Sequence, residues 1–122
     1  MSIRHEIRRS VLWIVVDGEY DDAELRAARE RAFADPAFRE GMPALIDSRK
    51  TLANPTRTRV QERADLLASL RTRSGPRCAF VVGDPLHFGL ARMLAAFSEQ
   101  SGLEIRVFED PARAETWLVG GA

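Results

Sequence analysis

The chain has 122 residues, of which 45% are hydrophobic and 30% are charged, and this composition is typical of one globular domain spanning residues 1–122. Its 18 basic and 18 acidic residues give a formal net charge of zero, which argues against a global electrostatic attraction to nucleic acid or anionic lipid. The longest apolar run, at 11–16, is too short to cross a bilayer, and the single cysteine, Cys78, excludes an intramolecular disulfide. We therefore expect a soluble, cytoplasmic protein without a membrane span.

The first predicted strand lies near the N-terminus, where Ile3, His5 and Ile7 alternate with charged residues. It would pair with the apolar run at 11–16 through a tight turn at 9–10. The sequence therefore predicts a hairpin before any helix.

Three further strand-like runs follow at 44–47, 78–82 and 104–108. The runs at 11–16 and 78–82 are continuously apolar, as strands covered on both faces must be. The run at 104–108 alternates apolar and polar residues, so we expect it to lie nearer a sheet edge.

Four helix starts share one chemical signature, a capping side chain directly before the first turn. Asp21 is followed three residues later by Glu24, as in a capping box. Asn54, Asp84 and Asp110 each precede a proline, whose fixed φ and missing N–H suit the first helical position. After each start, apolar residues recur at helical spacing. These residues are Leu25, Ala28, Ala32 and Phe33; Val60, Ala64 and Leu67; Leu90, Met93, Leu94 and Phe97; and Ala114, Trp117 and Leu118.

The predicted order of elements is β-β-α-β-α-β-α-β-α. Regular alternation of strands and helices favours a single α/β domain with a mixed, mostly parallel sheet, right-handed crossovers and helices packed on the sheet. A Ser-Gly-Pro stretch at 74–76 is expected to end the second helix.

Five short stretches together resemble the SpoIIAA-like family of STAS-type domains. They are Val16-Asp17-Gly18, Ala44-Leu45-Ile46-Asp47, Phe88-Gly89-Leu90-Ala91-Arg92-Met93, Arg106-Val107-Phe108 and Glu115-Thr116-Trp117-Leu118. Their order and spacing carry the resemblance, which covers nearly the whole chain. It implies a small bacterial module whose characterised relatives bind partner proteins, often under the control of phosphorylation. Some related domains hold lipid-like ligands.

The sequence departs from the regulatory pattern of these relatives at the start of the second helix. There the anti-sigma antagonists carry a phosphorylatable serine in an Asp-Ser-Ser/Thr-Gly stretch. Asp47-Ser48 has similar letters, but it is predicted to end the preceding strand, several residues too early. The helix start itself reads Asn54-Pro55-Thr56-Arg57-Thr58. Thr56 and Thr58 are therefore the candidate phosphoacceptors, since a helix N-terminus favours added negative charge.

In open α/β sheets, ligands bind beyond the carboxyl ends of the strands, and Asp47, Ser48, Asp84 and His87 would gather at this edge. A Ser-His-Asp hydrolase needs these residue types in one hydrogen-bonded line. However, no Gly-x-Ser-x-Gly elbow presents Ser48. We therefore interpret Asp84 as a helix cap and His87 as an exposed residue of the first turn, and we expect no enzymatic activity.

The sequence predicts neither a metal site nor a cofactor. His5 and His87 lie far apart and have no metal-ligand spacing with Cys78, which is predicted to be a core thiol. Gly83 stands alone before a helix, where nucleotide-binding loops need several glycines. Both tryptophans lie on apolar faces and are predicted to belong to the core.

Charge is distributed unevenly along the chain. Five of the eight residues at 17–24 are acidic, whereas 49–77 carries eight basic residues against two acidic ones. The leading hypothesis is a non-enzymatic binding or regulatory module that docks an acidic protein partner, or a second copy of itself as a homodimer. The contact would use the second helix and the strand-end loops through Arg49, Arg57 and Arg59. The alternative reading of these charges is a solvated helix face.

The alternative function is a carrier of a small apolar, lipid-like ligand lodged between the third helix and the sheet. Leu86, Phe88, Leu90 and Met93 would line this slot, although the same residues would serve equally well as core. A hydrolase built on Ser48 and His87 ranks third.

Overall fold

The computed structural model describes residues 3–51, 56–70 and 77–120. Within them the strands are β1 (Ile3–Arg8), β2 (Val11–Gly18), β3 (Ala44–Thr51), β4 (Arg77–Val81) and β5 (Glu104–Phe108). The helices are α1 (Asp22–Phe33), α2 (Arg57–Leu70), α3 (Pro85–Ser98) and α4 (Pro111–Gly120), with a 3-10 turn at Glu99–Ser101 after α3. The predicted cap at Asn54-Pro55 and the predicted stop at 74–76 lie outside the described residues.

The five strands form one sheet in sequence order, β1-β2-β3-β4-β5. β1 is antiparallel to β2, and the remaining neighbours are parallel. This confirms the predicted α/β class and the mixed, mostly parallel sheet, with β5 at an edge. The N-terminal hairpin is also confirmed. Its turn holds Arg9 and Ser10 at φ values of 52° and 62°, the left-handed backbone that a two-residue type I′ turn requires.

Helices α1, α2 and α3 cover one face of the sheet, and α4 covers the other. The first face buries the predicted stripes of α1 and α2 against Ile14 and Ile46 of the sheet. The second face buries Leu45 together with Trp13 and Trp117. Because successive side chains of a strand point to opposite faces, every strand of the sheet centre supplies both cores. The core assignment of the two tryptophans is confirmed.

Three helix starts carry the predicted caps. Asp21 accepts a hydrogen bond from the backbone N–H of Glu24 at 2.8 Å, and Asp84 accepts one from His87 at 2.8 Å. Asp110 accepts from the N–H of Ala112 at 3.0 Å. α2 begins later than predicted, at Arg57, and the hydroxyl of Thr56 accepts from the N–H of Arg59 at 3.3 Å. This threonine therefore takes the capping role predicted for Asn54.

β3 is longer than the sequence predicts, so the placement of Asp47-Ser48 at the end of the strand is wrong. Its pairing with β4 does stop at Asp47, opposite Val81. Beyond that point β3 continues beside β2 as far as Thr51, after a register shift in β2. The long β2 strand supplies the hydrogen-bonding edge that keeps these polar residues extended. As a result, β3 projects past β4 beside the start of α3.

Candidate binding cavity

A cavity of about 80 Å³ lies under α1, α2 and α3 at the carboxyl ends of β3 and β4. Most of its lining is apolar, and the polar part consists of hydroxyl and basic groups. The lining residues are Leu25, Arg29, Ile46, Ser48, Thr51, Val60, Arg63, Leu67, Phe80, Val82, His87, Leu90, Ala91 and Leu94. The cavity therefore occupies the sheet edge at which open α/β folds bind their ligands.

The alternation of β3 decides which of its polar residues reach this cavity. Ile46 and Ser48 point to the face covered by α1 to α3, and both line the cavity. Asp47 shares the side of Leu45 and points to the opposite face, which α4 covers, and the side chain of Arg49 contacts Asp47 there. The four residues predicted to share one crevice are therefore divided: the cavity takes Ser48 and His87, whereas Asp47 lies on the other side of the sheet.

Arg29 is the most unusual residue of the cavity, because it is a cation on the apolar stripe of α1. The residue is 6% exposed, and its Nη1 atom is shielded from solvent and has no hydrogen-bond partner among the described residues. Burial lowers the pKa of the Arg29 guanidinium, although arginine remains charged at neutral pH. An uncompensated buried cation costs about several kcal/mol, even after relaxation.

The neighbours of Arg29 do not neutralise it. Burial raises the pKa of the Tyr20 hydroxyl, and burial raises the pKa of the Cys78 thiol to about 12. Both groups are therefore neutral at neutral pH. No Asp or Glu is among the described residues that line the cavity. The charged residues in the described lining, Arg29 and Arg63, are therefore both cations.

Arg63 adds a second cation from α2. Its Nε atom is buried without a hydrogen-bond partner among the described residues, at 3.8 Å from a carboxylate oxygen of Asp22. Its guanidinium carbon lies 5.0 Å from the centroid of the Tyr20 ring. The Asp22 carboxylate offsets part of this charge, so Arg29 remains the less compensated of the two cations.

His87 is not exposed as predicted, since its side chain is 15% exposed and lines the cavity. Its Nδ1 lies 2.7 Å from a carboxylate oxygen of Asp84, the residue that also caps α3. The hydrogen bond from the His87 backbone N–H, followed by the bond from its ring, lowers the pKa of Asp84. The cap thus fixes the ring over the cavity, a role that periodicity alone did not reveal.

α3 presents His87, Leu90, Ala91 and Leu94 to the cavity, the spacing of one helical face. Of the slot predicted from sequence, only Leu90 is among the lining residues. Leu86 is 52% exposed. The predicted apolar stripe of α3 does pack into the core, with Leu94 buried and Leu90, Met93 and Phe97 against it, so only the predicted ligand slot differs from the observed lining.

The three arginines predicted to bind a partner occupy different places. Arg49 forms a two-pronged ion pair with Asp47, at 2.9 and 2.7 Å, on the α4 face of the sheet. Arg59 contacts Asp22 at 2.6 Å. Arg57 is exposed, with its guanidinium 5.7 Å from the Phe97 ring centroid. The acidic stretch at 17–24 and the basic α2 thus pair in part with each other, within one chain.

Sequence reasoning missed Arg29 and Arg63, although a signal was present. Arg29 stands four residues after Leu25 and four before Phe33, on the buried stripe of α1. Arg63 stands three residues after Val60, beside Ala64 on the buried face of α2. A charged residue at an apolar position of a helix is the pattern that identifies such buried cations.

Two absences apply to the described part of the chain. No group of three His, Cys, Asp or Glu side chains there could hold a metal ion. No helix in these ranges has the length and apolar character needed to cross a membrane.

Neither a family model nor a curated protein matches this chain. A solved structure does match: the crystal structure of an uncharacterised protein from the DUF3478 family, with a SpoIIAA-like fold, from Shewanella loihica PV-4. The two share 21% sequence identity with a TM-score of 0.64, and the match covers 95% of this chain and 91% of the other. The fold of this chain is therefore SpoIIAA-like.

Proposed function

We propose that this chain is a non-enzymatic binding module that takes a small, mostly apolar ligand into the cavity beneath α1, α2 and α3. The observation that carries the proposal is the cavity itself, at the carboxyl ends of β3 and β4. Apolar walls with a few convergent polar groups are the usual composition of a small-molecule site.

The size of the cavity limits the ligand. An apolar cavity of about 150 Å³ can take up benzene, whereas this one measures about 80 Å³. A whole lipid is too large for this volume. Scaled from benzene, this volume takes a hydrocarbon part of about three or four carbon atoms, so we expect a short aliphatic molecule to enter.

The test is an NMR titration of the full chain with butan-1-ol, combined with a cavity-filling variant. Ala91 is buried and lines the cavity, so Ala91→Leu places extra carbon atoms in the space that the ligand would use. Ala96→Leu is the matched control, because Ala96 is exposed on the same helix. We expect saturable shifts around the cavity in the wild type and in Ala96→Leu, and at least roughly tenfold weaker binding in Ala91→Leu.

Two outcomes would contradict the proposal. The first is that butan-1-ol produces no saturable shifts at the cavity. The second is turnover of ester or phosphoester substrates that is lost in His87→Ala, which would indicate a hydrolase. Native mass spectrometry of protein purified from its own host would reveal a ligand that co-purifies.

A second candidate is protein docking through the start of α2. Thr56, Arg57 and Thr58 are all exposed there, and α2 also lines the cavity, so a partner at this surface would contact a helix that touches the ligand. A phosphate on Thr58 would add negative charge to the first turn, where the helix dipole favours it. Charge reversal at Arg57 and Arg59 is expected to release any protein partner found by pull-down, and unchanged partners would rule this surface out.

A further inference from the structure

We propose that the ligand of this cavity is a short-chain aliphatic carboxylate, and that Arg29 binds its carboxylate group. This inference rests on the proposed function, because it specifies the chemistry of the molecule that enters the same cavity. It follows from the buried guanidinium, from the absence of a counterion in the described lining, and from the small apolar space beside it.

The first observation is the unpartnered donor. Arg29 is 6% exposed, and its buried Nη1 donates to no group among the described residues. Buried polar groups in folded proteins are almost always hydrogen-bonded, so a donor left unpaired beside a cavity requires an explanation. An acceptor that enters from solution supplies one.

The second observation is charge. Arg29 and Arg63 both line the cavity, and no acidic side chain accompanies them among its described lining residues. The acidic groups that interact with Arg29, Cys78 and Tyr20, are neutral at neutral pH, and burial raises the pKa of each further. A ligand with one negative charge would therefore offset positive charge that the described lining residues leave uncompensated.

The third observation selects a carboxylate among anions. A guanidinium fork matches the two oxygens of a carboxylate in one plane. The walls around the fork are largely apolar, with Leu67, Phe80 and Leu90 among them. Phosphate has no hydrocarbon part to pack against these walls, so part of its charged surface would face apolar side chains. A carboxylate with a short hydrocarbon tail can bind the guanidinium with its oxygens and pack its carbon atoms against the apolar walls.

A smaller cavity beside Arg29 offers another explanation for its unpaired donor, namely hydration by water. Arg29 also lines a second cavity of about 30 Å³ on the strand side, between α1 and the start of β3 and β4. That volume is enough to hold at least one water. A single water could therefore hydrate the guanidinium, in which case the larger cavity would take neutral ligands as readily as anions.

The experiment compares three probes by NMR titration of the full chain at neutral pH: butanoate, its neutral isostere butanamide, and inorganic phosphate. We expect butanoate to bind at least roughly tenfold more tightly than butanamide, the preference of a charge-assisted bond over a neutral one. Phosphate is expected not to compete. In Arg29→Met the preference for butanoate over butanamide should vanish. The matched control Arg26→Met, at an exposed position of the same helix, should retain the preference for butanoate.

The outcomes separate the inference from the function on which it rests. Equal binding of butanoate and butanamide to the wild type overturns the inference but remains consistent with the proposed binding function. Phosphate competing as strongly as butanoate also overturns it, because the site would then be a general anion site. Failure of butanoate, butanamide and butan-1-ol alike to bind overturns the proposed function. If Arg29→Met does not fold, Arg29→Lys provides the test, since an ammonium keeps the charge but loses the fork and should bind butanoate several-fold more weakly.

Discussion

Gly83 passes so close to the backbone of Arg49 that a β-carbon at position 83 would lie 2.9 Å from the Arg49 carbonyl oxygen. This contact joins the segment between β4 and α3 to the part of β3 that projects past β4. The opposing atoms are main-chain atoms, which cannot move aside as the end of a flexible side chain can. The start of α3, and with it the position of His87, depends on this close approach.

Gly83→Ala is therefore expected to lower the free energy of unfolding by about 1–3 kcal/mol, the usual cost of forcing a backbone shift. Gly89→Ala is the matched control, because a β-carbon at Gly89 meets no atom within 4 Å and the residue lies inside α3. That change should raise stability by about 0.5–1 kcal/mol through reduced chain entropy. Chemical denaturation measures both values, and equal effects of the two changes would contradict the role of the contact.

Arg29→Met is expected to stabilise the ligand-free protein. The change removes a buried cation that lacks a full complement of partners and keeps a similar side-chain volume, so we expect a gain of about 1–4 kcal/mol in unfolding free energy. Arg26→Met, at the exposed control position, should change it by less than about 0.5 kcal/mol. A clear loss of stability in Arg29→Met would mean that the charge is satisfied within the protein.

Asp47→Asn is expected to lower the free energy of unfolding at neutral pH. The size of this decrease relative to wild type is expected to depend on pH. Burial acts to raise the pKa of Asp47, but the hydrogen bonds and the charge of Arg49 outweigh it and hold the pKa below its usual value. A lowered folded-state pKa stabilises the protein above the usual aspartate range, and this contribution is lost as the pH falls through the folded value.

We expect Asp47→Asn to cost about 1 kcal/mol at pH 7, since the Arg49 partner is half-exposed. The difference in unfolding free energy between Asp47→Asn and wild type should disappear as the pH falls below 3.8, the reference pKa of this carboxyl. Asp17→Asn, on the exposed side of β2, should have little effect at either pH. Denaturant titrations at several pH values measure this difference, and a difference that stays constant would argue against the ion pair as its source.

Cys78 is expected to be inert in the folded protein. Its thiol is fully enclosed, and burial raises its pKa to about 12 from 9.0, which disfavours the reactive thiolate. Iodoacetamide should therefore modify Cys78 only after unfolding, a result that mass spectrometry detects. The same shift predicts stability that is complete below pH 9.0 and falls as the pH rises towards 12. In Cys78→Ala the free energy of unfolding should fall less steeply over this pH range. Rapid iodoacetamide labelling of the native wild-type protein would contradict the burial of the thiol.

The order of elements could be predicted from sequence because it depends on local chemistry. Caps at Asp21, Asp84 and Asp110 and the alternation of 3–7 require only neighbouring residues, and the structure confirms them. The extent of β3 could not be predicted, because its polar end is held by the partner strand β2 rather than by its own pattern.

The cavity was only partly predictable. Its place at the strand ends follows from topology, and Ser48 and His87 are among its lining residues. The face of the sheet on which Asp47 lies depends on the pleat of the strand. The buried position of Arg29 depends on the orientation of α1 about its own axis relative to the sheet. Both are tertiary properties, although the charge on an apolar stripe was already visible in the sequence.

The unequal covering of the sheet affects the order in which the chain can complete its fold during synthesis. Three helices lie on one face, whereas the face with Trp13 and Leu45 is closed by α4, which follows all five strands in the chain. Until the ribosome has released α4, a nascent chain with its sheet already paired would present an apolar surface to other proteins. Molecular chaperones that recognise exposed apolar segments would encounter that surface until α4 has emerged and packed on it, which makes α4 the element that protects the nascent sheet from aggregation.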